Sequence, residues 1–233
     1  MHIVVLTGAG ISAESGVKTF RDSDGLWENH RIEDVATPEA FRRNPALVLE
    51  FYNQRRKQLY EVEPNAAHVA LAKLERFFNV TIITQNVDDL HERAGSSYVV
   101  HLHGELKKVR SSINPDKIYT LNGWELKLGD VCEDGSQLRP HIVWFGEEVP
   151  LIETAAEITK TADILIIIGT SLNVYPAAGL IHYATSDCKK YFIDPNADKL
   201  INQSEIEIFK QKAGEAMPLL VEKLIHQFSK PDD

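Results

Sequence analysis

The chain has 233 residues, 43% of them hydrophobic, with 34 Asp+Glu against 25 Lys+Arg and a net charge of −9. It reads as one large globular domain, or one carrying a smaller module, and its acidic balance argues against nonspecific binding to nucleic acid or anionic membranes. Only two cysteines occur, Cys132 and Cys188, which excludes a disulfide framework and a four-cysteine zinc site and points to a reducing compartment.

The first apolar run, residues 3–6, predicts a buried strand. It is too short for a signal-peptide core or a membrane span, so a cytoplasmic protein with no membrane partner is expected. Residues 31–62 read as helix-rich and strand-free. Within them, 45–62 has Asn44 as cap and Pro45 at the first helical position. A helix follows over 65–75, a strand over 80–83, a helix over 87–94 closed by Gly95, and a strand over 98–102. Residues 107–139 are polar, with Gly123, Gly129 and Gly135 and weak periodicity, and read as an insertion. Then come a helix at 153–161, a strand at 164–168, a helix at 177–184, a strand at 191–193 and a closing helix at 217–228. Buried strands alternating with helices predict an α/β fold, a Rossmann-like doubly wound parallel sheet with a smaller inserted module. The expected division is 1–30, 64–106 and 140–233 for the sheet domain, and 31–63 with 107–139 for the module.

Polar or glycine-rich segments follow each strand: Gly8-Ala9-Gly10 with Ser12, Gln85-Asn86-Val87-Asp88, His103-Gly104-Glu105, Gly169-Thr170-Ser171, and Asp194-Pro195-Asn196. In an open parallel sheet these ends share one edge, where ligands bind. Gly8 and Gly10 suit close approach of a pyrophosphate to backbone amides, although a tight strand–helix turn also needs glycine. Residues 19–27 form a loop, not the acid-ended second strand of hydride-transfer enzymes, so a dinucleotide would be held differently. Val48, Tyr52, Arg55 and Leu59 fall on one helix face. An arginine on that apolar stripe suits a carboxylate ligand, or it snorkels towards a neighbouring Glu.

These segments resemble the sirtuin family of NAD-dependent protein-lysine deacylases. The resemblance rests on Gly8-Ala-Gly-Ile-Ser-Ala-Glu-Ser-Gly16, Thr19-Phe-Arg21, Thr84-Gln-Asn-Val-Asp88, His101-Leu-His-Gly104, Val143-Trp-Phe-Gly-Glu147 and Gly169-Thr-Ser171. Tyr52-Asn-Gln-Arg55 is similar to the mark of the bacterial and mitochondrial branch that removes acidic acyl groups such as succinyl and malonyl. The resemblance implies NAD as cosubstrate, acyl-lysine proteins as substrates, and nicotinamide and O-acyl-ADP-ribose as products. It implies His103 as general base, with Asn86, Asp88 and Gln85 at the nicotinamide ribose and Gly8, Ala9 and Gly10 at the pyrophosphate. Phe20 and Arg21 would form a cofactor loop. Gly169, Ser171, Asp194, Pro195 and Asn196 would line the adenosine end. Ser12, Glu14, Thr19, Trp27, Thr170 and Ala213 complete the expected cofactor set. Tyr52 and Arg55 would clamp the acyl carboxylate, while Val143, Trp144, Phe145, Gly146 and Glu147 would pair as an extended strand with substrate backbone.

His101 is expected to face away from His103 and, like His68, to be structural. Most sirtuins have four zinc-binding cysteines after the catalytic His. Here 107–140 contains only Cys132, and Ser111 and Ser112 stand where the first would be. No zinc is therefore expected, and the module should be held by Ile118, Leu121, Trp124 and Leu126. A monomer is expected. Mono-ADP-ribosyl transfer and non-catalytic sensing of NAD or ADP-ribose are the alternatives.

Overall fold

The computed structural model describes residues 1–17, 26–27, 30–197 and 206–228. Its first strand, β1 (His2–Thr7), is followed by short 3₁₀ turns at Ala9–Ile11 and Ala13–Ser15, then a small hairpin of β2 (Leu26–Trp27) and β3 (His30–Arg31). Next come α1 (Ile32–Val35), α2 (Pro38–Arg43), α3 (Pro45–Leu59), α4 (Ala66–Leu74), β4 (Asn79–Thr84), α5 (Leu90–Arg93) and β5 (Val99–His101). An antiparallel trio follows, β6 (Gly104–Ser111), β7 (Ile118–Thr120) and β8 (Leu138–Ile142). The chain continues through α6 (Ile152–Lys160), β9 (Ile164–Ile168), a 3₁₀ helix at Ala177–Tyr183, β10 (Lys189–Ile193), β11 (Ile206–Phe209) and α7 (Ala213–Phe228).

Six strands form a parallel sheet in the order β11-β10-β9-β1-β4-β5. Alternation along each strand splits its side chains between two cores. Ile3, Val5, Ile82, Ile164, Ile166 and Ile168 pack against Leu71 and Leu74 of α4 and Met217, Leu220 and Leu224 of α7. Val4, Leu6, Ile83, Leu165 and Ile167 face Ala155 and Ala156 of α6 and Leu180 of the 3₁₀ helix. Both faces are covered, which is why these strands read as continuous apolar runs. The chain winds outward in opposite directions from β1, so the β1–β9 boundary is the switch point where such sheets open a crevice.

Several expectations are corrected. The helix read over 87–94 begins only at Leu90, because the Val87 carbonyl accepts the Leu106 amide and the Asp88 carboxylate caps the Leu90 amide. Arg31 is a strand residue, paired with Leu26. The last helix starts at Ala213, before its apolar stripe, where the Glu14 carboxylate accepts the Gly214 amide at 2.7 Å. The 177–184 helix is 3₁₀. The polar insertion is built round the antiparallel sheet, with Leu126, Val109 and Leu49 forming a small core flanked by Leu121. Ile118, expected in that core, is 43% exposed. Trp124 stands outside it, with Lys57 over its ring and its carbonyl accepting from Arg56.

Candidate functional site

A cavity of about 770 Å³ runs along the carboxyl edge of the parallel sheet and under the antiparallel module. At one end Gly10 donates its amide to the Gly169 carbonyl at 2.8 Å, which locks the loop after β1 against the loop after β9. A Cβ on Gly8 would come within 2.8 Å of Thr170 Cβ, and one on Gly10 within 2.6 Å of Gly169 Cα. Gly169 has φ +62, in the left-handed region. Glycine is required here by backbone-to-backbone packing, with the Gly8 and Gly10 amides donated to the Ile168 and Gly169 carbonyls, and the absence of side chains lets a ligand approach the backbone closely. Ala9, Ser171, Asp194, Pro195, Asn196 and Ala213 line the same cavity, with Asp194 buried and capping the Asn196 amide at 2.8 Å. Gln85 donates to the Thr170 hydroxyl at 3.3 Å, bridging the ends of β4 and β9. Thr19, Phe20 and Arg21 lie outside the described residues, as does the side chain of Trp27.

Three expected polar residues form a buried chain. Asn86 Nδ2 donates to Ser12 Oγ at 3.1 Å, and Ser12 Oγ donates to Asp88 Oδ2 at 3.0 Å. Burial raises the Asp88 carboxyl above its usual range, against the lowering effect of the Leu90 amide and the Ser12 hydroxyl. Glu14 lines the cavity too, but its carboxylate is engaged by α7.

The two histidines of the third motif are held by neighbouring carbonyls. His103 Nδ1 donates to the Gln85 carbonyl at 3.0 Å, and His101 Nδ1 meets the Asn86 carbonyl at 3.2 Å. This bond assigns the proton of His103 to Nδ1 and leaves Nε2 as the basic nitrogen. Burial lowers the His103 pKa, opposed by Gln85, so the imidazole is neutral and can accept a proton at pH 7. His101 has its Nε2 on Glu92 at 2.7 Å. Burial disfavours its charge, yet Glu92 outweighs that and raises its pKa. One strand carrying both rings would have set them on the same face, because alternation repeats every two residues. It is the end of β5 at His101 and the turn through Leu102 and His103 that parts them. His68 is fully buried and closes the capping box of α4 with Asn65.

The far end of the cavity is lined by Tyr52, Arg55 and Trp144. Val48, Tyr52, Arg55 and Leu59 are all buried along α3, as their spacing predicts. Arg55 is 7% exposed, with its guanidinium carbon 5.9 Å from the Phe51 ring centre. The segment 143–147 is not a simple extended strand. The Val143 amide donates to His103, the Phe145 amide to Ala36 and the Glu147 amide to Trp144, and Gly146 turns the chain at φ +90. Glu147 is tied inward, accepting from Arg139 at 2.7 and 3.0 Å and from the Trp144 amide at 2.8 Å.

Sequence reasoning missed Arg139 and Arg56. Arg139 is buried and lies over the Trp144 ring at 3.3 Å. Arg56 is fully buried and donates to Leu106 and Trp124 carbonyls and Asn53 Oδ1 at 2.6–2.7 Å, tying α3 to the insertion. No local pattern marks either. Val174, Tyr175 and Lys212 also line the cavity. In the insertion, Ser111 Oγ bonds Asp134 at 3.0 Å and Ser136 at 2.7 Å, and Tyr119 meets Cys132 Sγ at 3.4 Å. Among the described residues no three His, Cys, Asp or Glu side chains converge as metal ligands, and no helix is long and apolar enough to cross a membrane.

The profile of the Sir2 family matches residues 8–176. A Bacteroides thetaiotaomicron protein named NAD-dependent protein deacylase is 57% identical over 229 residues, covering 96% of this chain and 98% of its own. A Helicobacter pylori protein of the same name is 56% identical over 230 residues, covering 98% and 99%. Among solved structures, a Sir2 homologue bound to NAD superposes with TM-score 0.86 at 39% identity, covering 98% of this chain and 91% of the other. A Sir2 homologue in complex with ADP-ribose superposes with TM-score 0.88 at 38% identity, covering 100% and 95%.

Proposed function

This chain belongs to the Sir2 (sirtuin) family and is an NAD-dependent protein-lysine deacylase, and from that premise we propose that it removes acidic acyl groups, succinyl or malonyl, as well as acetyl. The observation that carries this reading is the cationic Arg55, almost wholly buried beside Tyr52 on the wall of the cavity that also holds His103. A guanidinium so placed matches a distal carboxylate and offers an acetyl methyl nothing.

In this reading NAD, when bound, would supply the ribose carbon at which the acyl oxygen displaces nicotinamide, which leaves free. His103 Nε2 takes a proton from the ribose hydroxyls, and the carbonyl of Gln85 fixes the tautomer that makes this possible. Asn86 and Asp88, joined through Ser12, hold the nicotinamide ribose end. The paired glycine loops hold the pyrophosphate, and Asp194 to Asn196 the adenosine. Substrate backbone meets Val143 and the exposed turn at Phe145 and Gly146. Glu147 braces that turn through the Trp144 amide, and the Trp144 side chain lines the cavity beside Tyr52. The serine-centred knot at Ser111, together with a single cysteine over 107–140, supports a module that folds without zinc. Residues 31–63 and 107–139 form that module in our reading, and the protein acts as a cytoplasmic monomer.

The test is NAD-dependent turnover of two peptides that differ only in acetyl or succinyl on lysine, with nicotinamide release as the readout. Arg55→Met removes the charge and keeps much of the volume. A charged hydrogen bond of this kind contributes about 1.5–3 kcal/mol, so the succinyl-to-acetyl ratio of kcat/KM should fall roughly 10- to 100-fold. A ratio that Arg55→Met leaves unmoved defeats the reading.

A further inference from the structure

We infer that Trp144 is a positioning residue for acyl specificity: by donating its indole N–H to Tyr52, it turns the phenol proton into the cavity, where a distal acyl carboxylate accepts it. The inference rests on the acidic-acyl reading above and adds a residue to it.

The indole nitrogen of Trp144 lies 3.0 Å from the Tyr52 hydroxyl, and both side chains are buried, at 2% and 0% exposure. Indole N–H can only donate, so the phenol oxygen must accept. A phenol has one proton. With one lone pair occupied by Trp144, that proton is directed to another acceptor. Among the described residues Trp144 is the hydrogen-bond partner of this hydroxyl. Arg55, one helical turn on, has donors only. The Phe51 ring lies edge-on, 5.0 Å between centres. The acceptor therefore comes from the cavity that Tyr52, Arg55 and Trp144 line together. A succinyl or malonyl carboxylate has lone pairs for both the phenol and the guanidinium, whereas an acetyl methyl has none. Burial raises the Tyr52 pKa, against the pull of Arg55, which keeps the phenol protonated.

Trp144 is held rigidly enough to impose this direction. Arg139 lies over its ring at 3.3 Å, Glu147 accepts its amide at 2.8 Å, and Arg139 and Glu147 are bonded to each other at 2.7 and 3.0 Å. Arg110 adds a longer contact to Glu147 at 3.3 Å. Phe41 closes the other side, 5.4 Å between ring centres. Swinging the indole away would forfeit its contacts with Arg139 and Phe41, so its N–H is a preorganised donor.

Trp144→Phe keeps an aromatic ring and deletes the donor. The succinyl-to-acetyl ratio of kcat/KM is expected to fall about three- to tenfold, the size of one neutral hydrogen bond. The loss should appear mainly in KM, because the distal carboxylate is bound alike in ground and transition states. In a Tyr52→Phe background the same substitution should not change the ratio further. A structural role would lower both activities together and leave the ratio intact, which overturns the inference, as does an equal further fall without Tyr52. If Trp144→Phe does not fold, indole ¹⁵N–¹H spectra of the unmutated chain decide. The Trp144 resonance, identified by its displacement in Tyr52→Phe, should move downfield with a succinyl-lysine peptide and not with the acetyl one, since a phenol that donates to an anion accepts more strongly. An unmoved resonance overturns the inference. Arg55→Met keeps the two levels apart: if it leaves the ratio unchanged, the acidic-acyl reading fails, and if it collapses the ratio while Trp144→Phe does not, only the role of Trp144 fails.

Discussion

Replacing Gly10 by alanine tests whether the two glycine loops hold the cofactor cradle by direct backbone packing. The new Cβ would sit 2.6 Å from Gly169 Cα and 2.8 Å from its carbonyl oxygen. Carbon atoms in contact prefer about 3.5–4.0 Å, and both obstacles are backbone, so no rotamer change relieves them. The loops must part by about 1 Å. The 2.8 Å bond from Gly10 N–H to the Gly169 carbonyl then stretches out of range, a loss of about 1 kcal/mol, and overpacking adds about 1–3 kcal/mol. Together these cost roughly 2–4 kcal/mol, which for a chain of this size lowers Tm by roughly 4–16 °C. NAD affinity should fall as well, because the loops that part are those proposed above to hold the pyrophosphate. Thermal melting and NAD titration measure the two effects. Gly179→Ala is the control: its nearest neighbour would be Tyr175 Cε1 at 3.9 Å, so it should stay within about 0.5 kcal/mol of the parent. A Gly10→Ala chain with parental Tm refutes the packing argument, and one that melts early but binds NAD normally refutes the placement of the pyrophosphate.

His103→Ala should lower turnover by about two to four decades while the fold persists, and near-parental activity would remove His103 as base. Because burial depresses the His103 pKa, kcat/KM should hold down to a pH below 6.5 before protonation cuts it, and an inflection above 6.5 would contradict that environment. His68 is held neutral by burial, its pKa lowered to about 4, with Glu92 opposing. The unfolded chain therefore takes up the proton first as pH falls, and stability is lost between about pH 6.5 and 4, by up to about 3 kcal/mol. Melting at pH 7 and 4.5 should show a smaller drop for His68→Gln than for the parent, and equal drops would refute the assignment. Metal analysis of protein prepared without chelator should find far less than one zinc per chain, and a stoichiometric value lost in Cys132→Ser would overturn the zinc-free reading.

The sheet was legible because its strands are covered on both faces. Ile164 to Ile168 and Ile3 to Leu6 are continuous apolar runs, and no other element buries such a run so economically in five residues. The glycine, histidine and Tyr52/Arg55 motifs were legible for a different reason: each is local, a few residues at fixed spacing on one turn or one helix face. The boundaries of α5 and α7 were not, since they depend on a cap at Asp88 and on a carboxylate from Glu14, 200 residues before Gly214. Strand formation in the polar insertion also escaped periodicity, because β6 pairs with β8 across residues 112–137, a stretch that is mostly turns around the short β7. Tertiary structure alone decided which polar groups near the site are free to meet a ligand. Glu147 lines the cavity as its motif suggested, but only the fold shows that it accepts from Arg139, and Tyr52 acquires a donor in Trp144 from 92 residues away. A side chain's type and spacing set what it can donate or accept, while its partner is chosen by whichever distant groups packing brings within about 3 Å of it.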